Sequence, residues 1–261
     1  MEIIHTTTIS PAQAGQMQRL AGLCIQAEGL SLSCPDDGDE FWFLHKRDGS
    51  MGAFLAVYKL EDQIWECSAF TRPDCRKRGY FSLLLERVCS DSRDCGEPDL
   101  CFVTDGRCPA ALHLLKALEM AFYHHEYMMR CDLGKQAARL EGRSGNMLLR
   151  MNQECPADGV TKLEVTGWLP GTQPGRPQGE PVVTCSLYAK DRGVYLYGLY
   201  TSPGYRRRGL AFCFLCQLVQ LLHSSRHDTL GLQVSSLNTE AMGLYKKAGF
   251  RITETLSYYL Y

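Results

Sequence analysis

What this sequence lacks narrows the field before any motif is read. No run of eighteen apolar residues occurs, so no membrane span is expected. The first residues, Met1-Glu-Ile-Ile-His-Thr6, show no basic segment followed by an apolar core, so no secretory signal is expected either. Net charge is nearly absent, at −1 from 28 Lys and Arg against 29 Asp and Glu, which argues against general nucleic-acid affinity. No acidic cluster marks a polyamine or aminoglycoside site. Metal-ligand clusters are also missing: Cys213 and Cys216 have the spacing but sit inside an apolar helix-like run without a partner pair, and His124-His125 reads as the edge of a strand. The 13 cysteines are odd in number and scattered, and they read as reduced thiols packed as small hydrophobes in a cytoplasmic protein.

What is present begins with Gly204-Tyr-Arg-Arg-Arg-Gly-Leu-Ala211. Val194 to Tyr200, rich in aromatic and branched residues, reads as a strand closed by Thr201-Ser-Pro-Gly204. Leu210 to Leu222 lacks Gly and Pro and is almost continuously apolar, as in a buried helix. The loop therefore delivers the chain to a helix N-terminus, whose first N–H groups lack internal acceptors and carry the positive end of the macrodipole. Such a terminus suits an anion. Gly209 permits an unusual backbone conformation, Ala211 keeps bulk off the amides, and Arg206, Arg207 and Arg208 add charge. Alone, the motif is equally a turn with a solvated basic cluster.

A second element follows. Leu230 to Ser235 reads as another strand, and Asn238 to Phe250 as a helix capped by Asn238 and stopped at Gly249. The combined pattern resembles the GNAT acetyltransferase superfamily. Its acyl-CoA loop, Arg/Gln-x-x-Gly-x-Gly/Ala, is matched by Arg206, Gly209 and Ala211. Its later signature is matched by Asn238, Ala241, Leu244, Tyr245, Gly249 and Phe250. The resemblance implies a mixed α/β fold, mostly antiparallel, whose fourth and fifth strands splay around a pantetheine arm, with pyrophosphate on the loop. It implies cofactor contacts at Leu199, Tyr200, Thr201, Arg206, Arg207, Arg208, Gly209, Leu210, Ala211 and Asn238. Tyr245 would act beside the thioester sulfur, or simply pack as a helix-face aromatic. Gly198 marks either a bulge that parts the strands or close packing.

The same organisation occurs earlier at a constant offset of 130 residues. Arg76-Lys-Arg-Gly79-Tyr-Phe81 maps onto Arg206 to Ala211, and Thr71, Pro73, Leu85, Leu100, Ala111 and Leu114 all find identical partners. Two tandem GNAT-like modules are expected, residues 1–135 and 136–261. The copies differ where chemistry is expected: Phe81 replaces Ala211, Cys108 replaces Asn238, and Leu115 replaces Tyr245. The first copy thus reads as degenerate.

The resemblance implies acyl transfer from acetyl-CoA, or another acyl-CoA, to the primary amine of a small molecule or peptide, without a metal. A lysine-like amine is only about one part in a thousand neutral at pH 7.4, so its proton must go somewhere. No carboxylate lies within Val194 to Tyr200, and Glu66 and Glu240 are weak candidates for the base. The alternative is a non-catalytic acyl-CoA sensor or interaction module. The repeat suggests a monomer with an internal pseudo-dimer, or a weak homodimer.

Overall fold

The computed structural model describes residues 1–60, 63–93, 96–143, 145, 147–154, 161–169 and 181–261. Residues 170–180, rich in Gly, Pro and Gln and read from composition as a loop, lie outside the described residues.

The chain divides into two compact units: Met1–His125 with Leu256–Tyr261, and Glu126–Thr255. The first opens with β1 (Glu2–Thr6) and α1 (Pro11–Glu28). The helix starts where the sequence signals it. Ser10 Oγ accepts from the Gln13 N–H, Gln13 Oε1 accepts from the Ser10 N–H at 2.8 Å, and Pro11 opens the first turn. Gly29, at φ 64°, ends it. Then come β2 (Glu40–His45), β3 (Met51–Lys59), β4 (Ile64–Thr71), α2 (Tyr80–Ser92), β5 (Asp99–Thr104), α3 (Pro109–Ala117) and β6 (Ala121–Asp132).

Strand alternation sorts β2 between two cores. Phe41 and Phe43 pack with α1 residues such as Met17 and Leu20, whereas Trp42 and Leu44 pack with α2 residues such as Leu84 and Val88. This sheet is therefore buried on both faces. β4 pairs with β3 along its length, but its parallel pairing with β5 covers only Ile64–Cys67 against Asp99–Phe102. Past that point the two strands part.

The second unit continues with α4 (Leu133–Leu140), β7 (Leu148–Glu154), β8 (Thr161–Trp168), β9 (Val183–Lys190), β10 (Gly193–Thr201), α5 (Leu210–Ser224), β11 (Thr229–Ser235), α6 (Thr239–Ala248) and β12 (Arg251–Leu260). Its strand order is β6-β11-β10-β9-β8-β7, antiparallel except for β10 with β11. α5 supplies Phe214, Leu215, Leu218, Val219 and Leu222 to its core.

The polar residues 134–143, with Gly134 among them, read locally as a loop, yet Leu133–Leu140 form a helix. Asp132 Oδ1 caps α4 by accepting from the Lys135 N–H at 2.9 Å. Leu133, Ala137 and Leu140 recur on one face and are buried. Burial of that face outweighs the roughly 1 kcal/mol that Gly134 costs a helix.

The expected module boundary at 135/136 also differs from the observed units. Glu126–Asp132 of β6 pair antiparallel with β11 in the second unit, while Ser257–Leu260 of β12 pair with β5 in the first. Among the described residues, no helix is long and apolar enough to cross a membrane.

Candidate active site

The site is built from the end of β10 upward. β10 and β11 pair in parallel only from Gly193↔Thr229 to Leu196↔Leu232, although β11 runs on to Ser235 beside β6. On its other edge, β10 holds β9 to the end, but the register slips by one residue between Tyr197↔Ser186 and Tyr200↔Thr184. Gly198 sits in that slip at φ 63°, so it marks a bulge. The strands thus part beyond Leu196, leaving Leu199, Tyr200 and Thr201 on the diverging side.

Beyond the strand, Ser202 anchors the turn through its N–H to the Val182 carbonyl at 3.0 Å, and a 3₁₀ turn spans Pro203–Tyr205. Arg206 Nε donates to the Thr201 carbonyl at 3.0 Å, and its guanidinium lies 5.6 Å from the Tyr200 ring centroid. Arg207 takes φ 62° and Gly209 φ 76°, ψ 4°, which turns the chain into α5. Gly209 is the N-cap and supplies no side-chain acceptor, so the N–H groups of Leu210, Ala211 and Phe212 are left for something outside the helix. A Cβ on Gly209 would meet nothing within 4 Å, so glycine is needed here for its backbone and not for space. Arg206, Arg207 and Arg208 are exposed around these amides. A di-anion fits this donor set.

α6 lies beside this loop. Arg207 forms an ion pair with Glu240, and the Lys247 ammonium lies 4.4 Å from the Phe212 ring centroid. Neither tie is legible in the sequence. Asn238 Oδ1 accepts from the Ala241 N–H at 3.1 Å, so this oxygen caps α6. Replacing Asn238 with Ala is expected to lower stability by about 1 kcal/mol, with Asp restoring it, as read by denaturant unfolding.

Tyr245 is buried in α6 at 7% exposure, with its ring 5.6 Å from that of Phe250. Burial pushes its hydroxyl up to about 12, and Cys185 adds to the rise. Cys185 lies on β9 between the register pairs that flank the bulge. Glu66, the other carboxylate candidate, lies in the first unit and accepts from the Tyr258 hydroxyl at 3.5 Å.

The first unit repeats the loop almost angle for angle. Lys77 has φ 58° and Gly79 φ 79°, ψ 5°; a 3₁₀ turn spans Pro73–Cys75; and Arg76 Nε donates to the Thr71 carbonyl at 3.2 Å. One geometry written twice at the predicted offset is the observation that decides the family of folds.

The chain has the tandem GNAT fold. Residues 178–259 match the model of the family described as FR47-like protein. A tandem GNAT protein from the clavulanic acid biosynthesis pathway superposes with a TM-score of 0.73 at 11% identity, covering 100% of this chain and 98% of that one. A GCN5-related N-acetyltransferase from Sphaerobacter thermophilus gives 0.65 at 15% identity, covering 99% and 95%. The glucosamine N-acetyltransferase region of a fungal multi-domain β-N-acetylglucosaminidase gives 0.69 at 10% identity, covering 100% of this chain and 38% of that one. No curated protein matches the chain by sequence. Within the tandem GNAT fold, both splayed strand pairs fall where the repeat requires them. No group of His, Cys, Asp and Glu suited to a metal ion occurs among the described residues.

Proposed function

We propose that this chain is an acyl-CoA-dependent N-acyltransferase whose donor, acetyl-CoA or another acyl-CoA, binds in the second unit. The supporting observation is that β10 and β11 stop pairing beyond Leu196 and β10 leads through the arginine-rich turn to an uncapped helix N-terminus at α5. The amides of Leu210 and Ala211 with Arg206, Arg207 and Arg208 would hold the pyrophosphate. Leu199, Tyr200 and Thr201 would offer backbone groups to the pantetheine amides. The donor supplies an activated acyl thioester, and the protein's own part is to orient it and steady the charge on departing sulfur.

Tyr245 serves the second task by donating its hydroxyl hydrogen bond. Outright proton transfer is a poor alternative. From a phenol at about 12 to a thiol of about 8.5 it runs uphill by about 5 kcal/mol. The acceptor is a small-molecule or peptide amine that supplies its own neutral form, since β10 bears no carboxylate. That same lack favours a second reading, an acyl-CoA sensor without turnover.

Calorimetric titration of acetyl-CoA tests the reading. One equivalent is expected, lost when Gly209 and Ala211 are both made bulky. Two equivalents insensitive to those changes, or no binding, would remove the proposed site. Acetyl-CoA binding without thioester cleavage across an amine panel would establish the sensor instead. Free thiols at every cysteine among the described residues suit a reducing cytoplasm.

A further inference from the structure

A cavity outside the arginine-rich loop of the second unit lies in the first unit, has a volume of about 890 Å³, and occupies the gap where β4 leaves β5. Ala69 and Thr71 line it from β4, Phe102 and Thr104 from β5, and Ala111 and Leu114 from α3. Its walls draw on both cores of the unit: Phe81 and Met120 pack with the cluster around α2, whereas Leu30 and Leu32 pack with the cluster around α1. The cavity therefore passes through the sheet. Leu30 and Leu32 belong to a strap held in place from the β5–α3 turn, where Asp105 accepts from the Ser31 N–H at 2.6 Å and Arg107 donates to Ser31 Oγ at 2.9 Å and to the Gly29 carbonyl.

This gap has kept the geometry of its counterpart and lost the polarity. Arg76, the equivalent of Arg206, is spent on Glu28, with one contact of 3.1 Å and a second shorter one. The Thr71 carbonyl accepts from both Arg76 Nε and Cys24 Sγ. Phe81 stands where Ala211 would leave the amides open, and its ring packs edge-on against Phe102 at 5.6 Å. Leu115 replaces Tyr245. Of the polar groups repeated from the second unit, Arg76 and the Thr71 carbonyl are already engaged here, while an aliphatic chain finds apolar walls within the size range of ligand pockets.

We propose that the first unit binds the aliphatic chain of a fatty acyl group, threaded through the β4–β5 gap with its polar end at the rim beside Lys77. The chain could come from a free fatty acid or from a fatty acyl thioester. This site is independent of the donor site proposed above.

The test is titration of dodecanoate into the full-length protein, followed by calorimetry and native mass spectrometry. Ala69→Phe on β4 and Ala111→Phe on α3 each fill the gap from one side, and Ala211→Phe perturbs the second unit. One equivalent of dodecanoate is expected, weakened at least about tenfold by either filling variant, with the melting temperature showing that the variant is folded; Ala211→Phe should leave it unchanged. If one filling variant does not fold, the other decides. In the Ala211→Phe background, competition by dodecanoyl-CoA assigns the chain to a thioester, and its absence assigns it to the free acid. The proposal is overturned if dodecanoate does not bind or binds insensitively to both filling variants. CoA alone occupying a site that those variants abolish would overturn it equally.

Discussion

Gly209→Val is expected to abolish most acetyl-CoA binding, while Gly79→Val leaves it intact. The two glycines share one backbone geometry, φ 76° against φ 79°, and a Cβ on either would meet nothing within 4 Å. Steric crowding is thus the same at both, namely none. Each substitution costs only what a branched residue pays in the left-handed region, about 1–2 kcal/mol, and each should lower stability by a similar amount. What separates them is the ligand. Relief of strain at position 209 must turn the Leu210 and Ala211 amides away from the pyrophosphate, and a loss of at least about tenfold in affinity is expected. Paired calorimetry and denaturant unfolding on the two variants read both quantities. Equal loss of acetyl-CoA binding in both, or loss only in Gly79→Val, would move the donor site out of the second unit.

Tyr245→Phe is expected to cut turnover by about 10- to 150-fold with acetyl-CoA affinity unchanged, the worth of one hydrogen bond to a developing charge at 1.5–3 kcal/mol. Phe keeps the ring in its contact with Phe250, so stability should hold. The pH profile supplies a second reading. With its hydroxyl pushed up to about 12, Tyr245 stays protonated throughout pH 6–10, so the rising limb of rate with pH must belong to the acceptor amine. That limb should survive in the Phe variant at lower amplitude and should move when the acceptor is replaced by one of lower pKa. Full turnover in Tyr245→Phe would reduce the residue to a packed aromatic.

The parts of this molecule that could be read from sequence are those specified by neighbouring residues. Ser10-Pro11 through Gly29, Asn238 through Gly249, and the two Arg-x-x-Gly turns all contain their own start and stop chemistry, and they fold where the residues say. α4 was missed because Gly134 and a polar surface mask a face of only three buried residues, whose value depends on packing in the second unit's core. Gly198 could be read as a bulge or as close packing, and only the register slip against β9 decides between them. The ion pair of Arg207 with Glu240 joins residues from two elements, which no local pattern records. Phe81 and Leu115 were legible as losses relative to the second copy. That the gap beside them is a cavity follows only from the parting of β4 and β5.

The pairing of β12 with β5 has a consequence for biosynthesis. Thr104 and Cys101 meet Ser257 and Leu260, and the Leu100 carbonyl waits for the N–H of Tyr261. While the chain is being made, β5 leaves the ribosome with this edge bare, since its partner strand β12 is translated much later. An unprotected strand edge is a template for wrong pairing, and distant pairings form slowly. The β5 edge therefore stays open until Ser257–Leu260 have been made, and a stop near residue 250 would leave it bare in a unit translated long before.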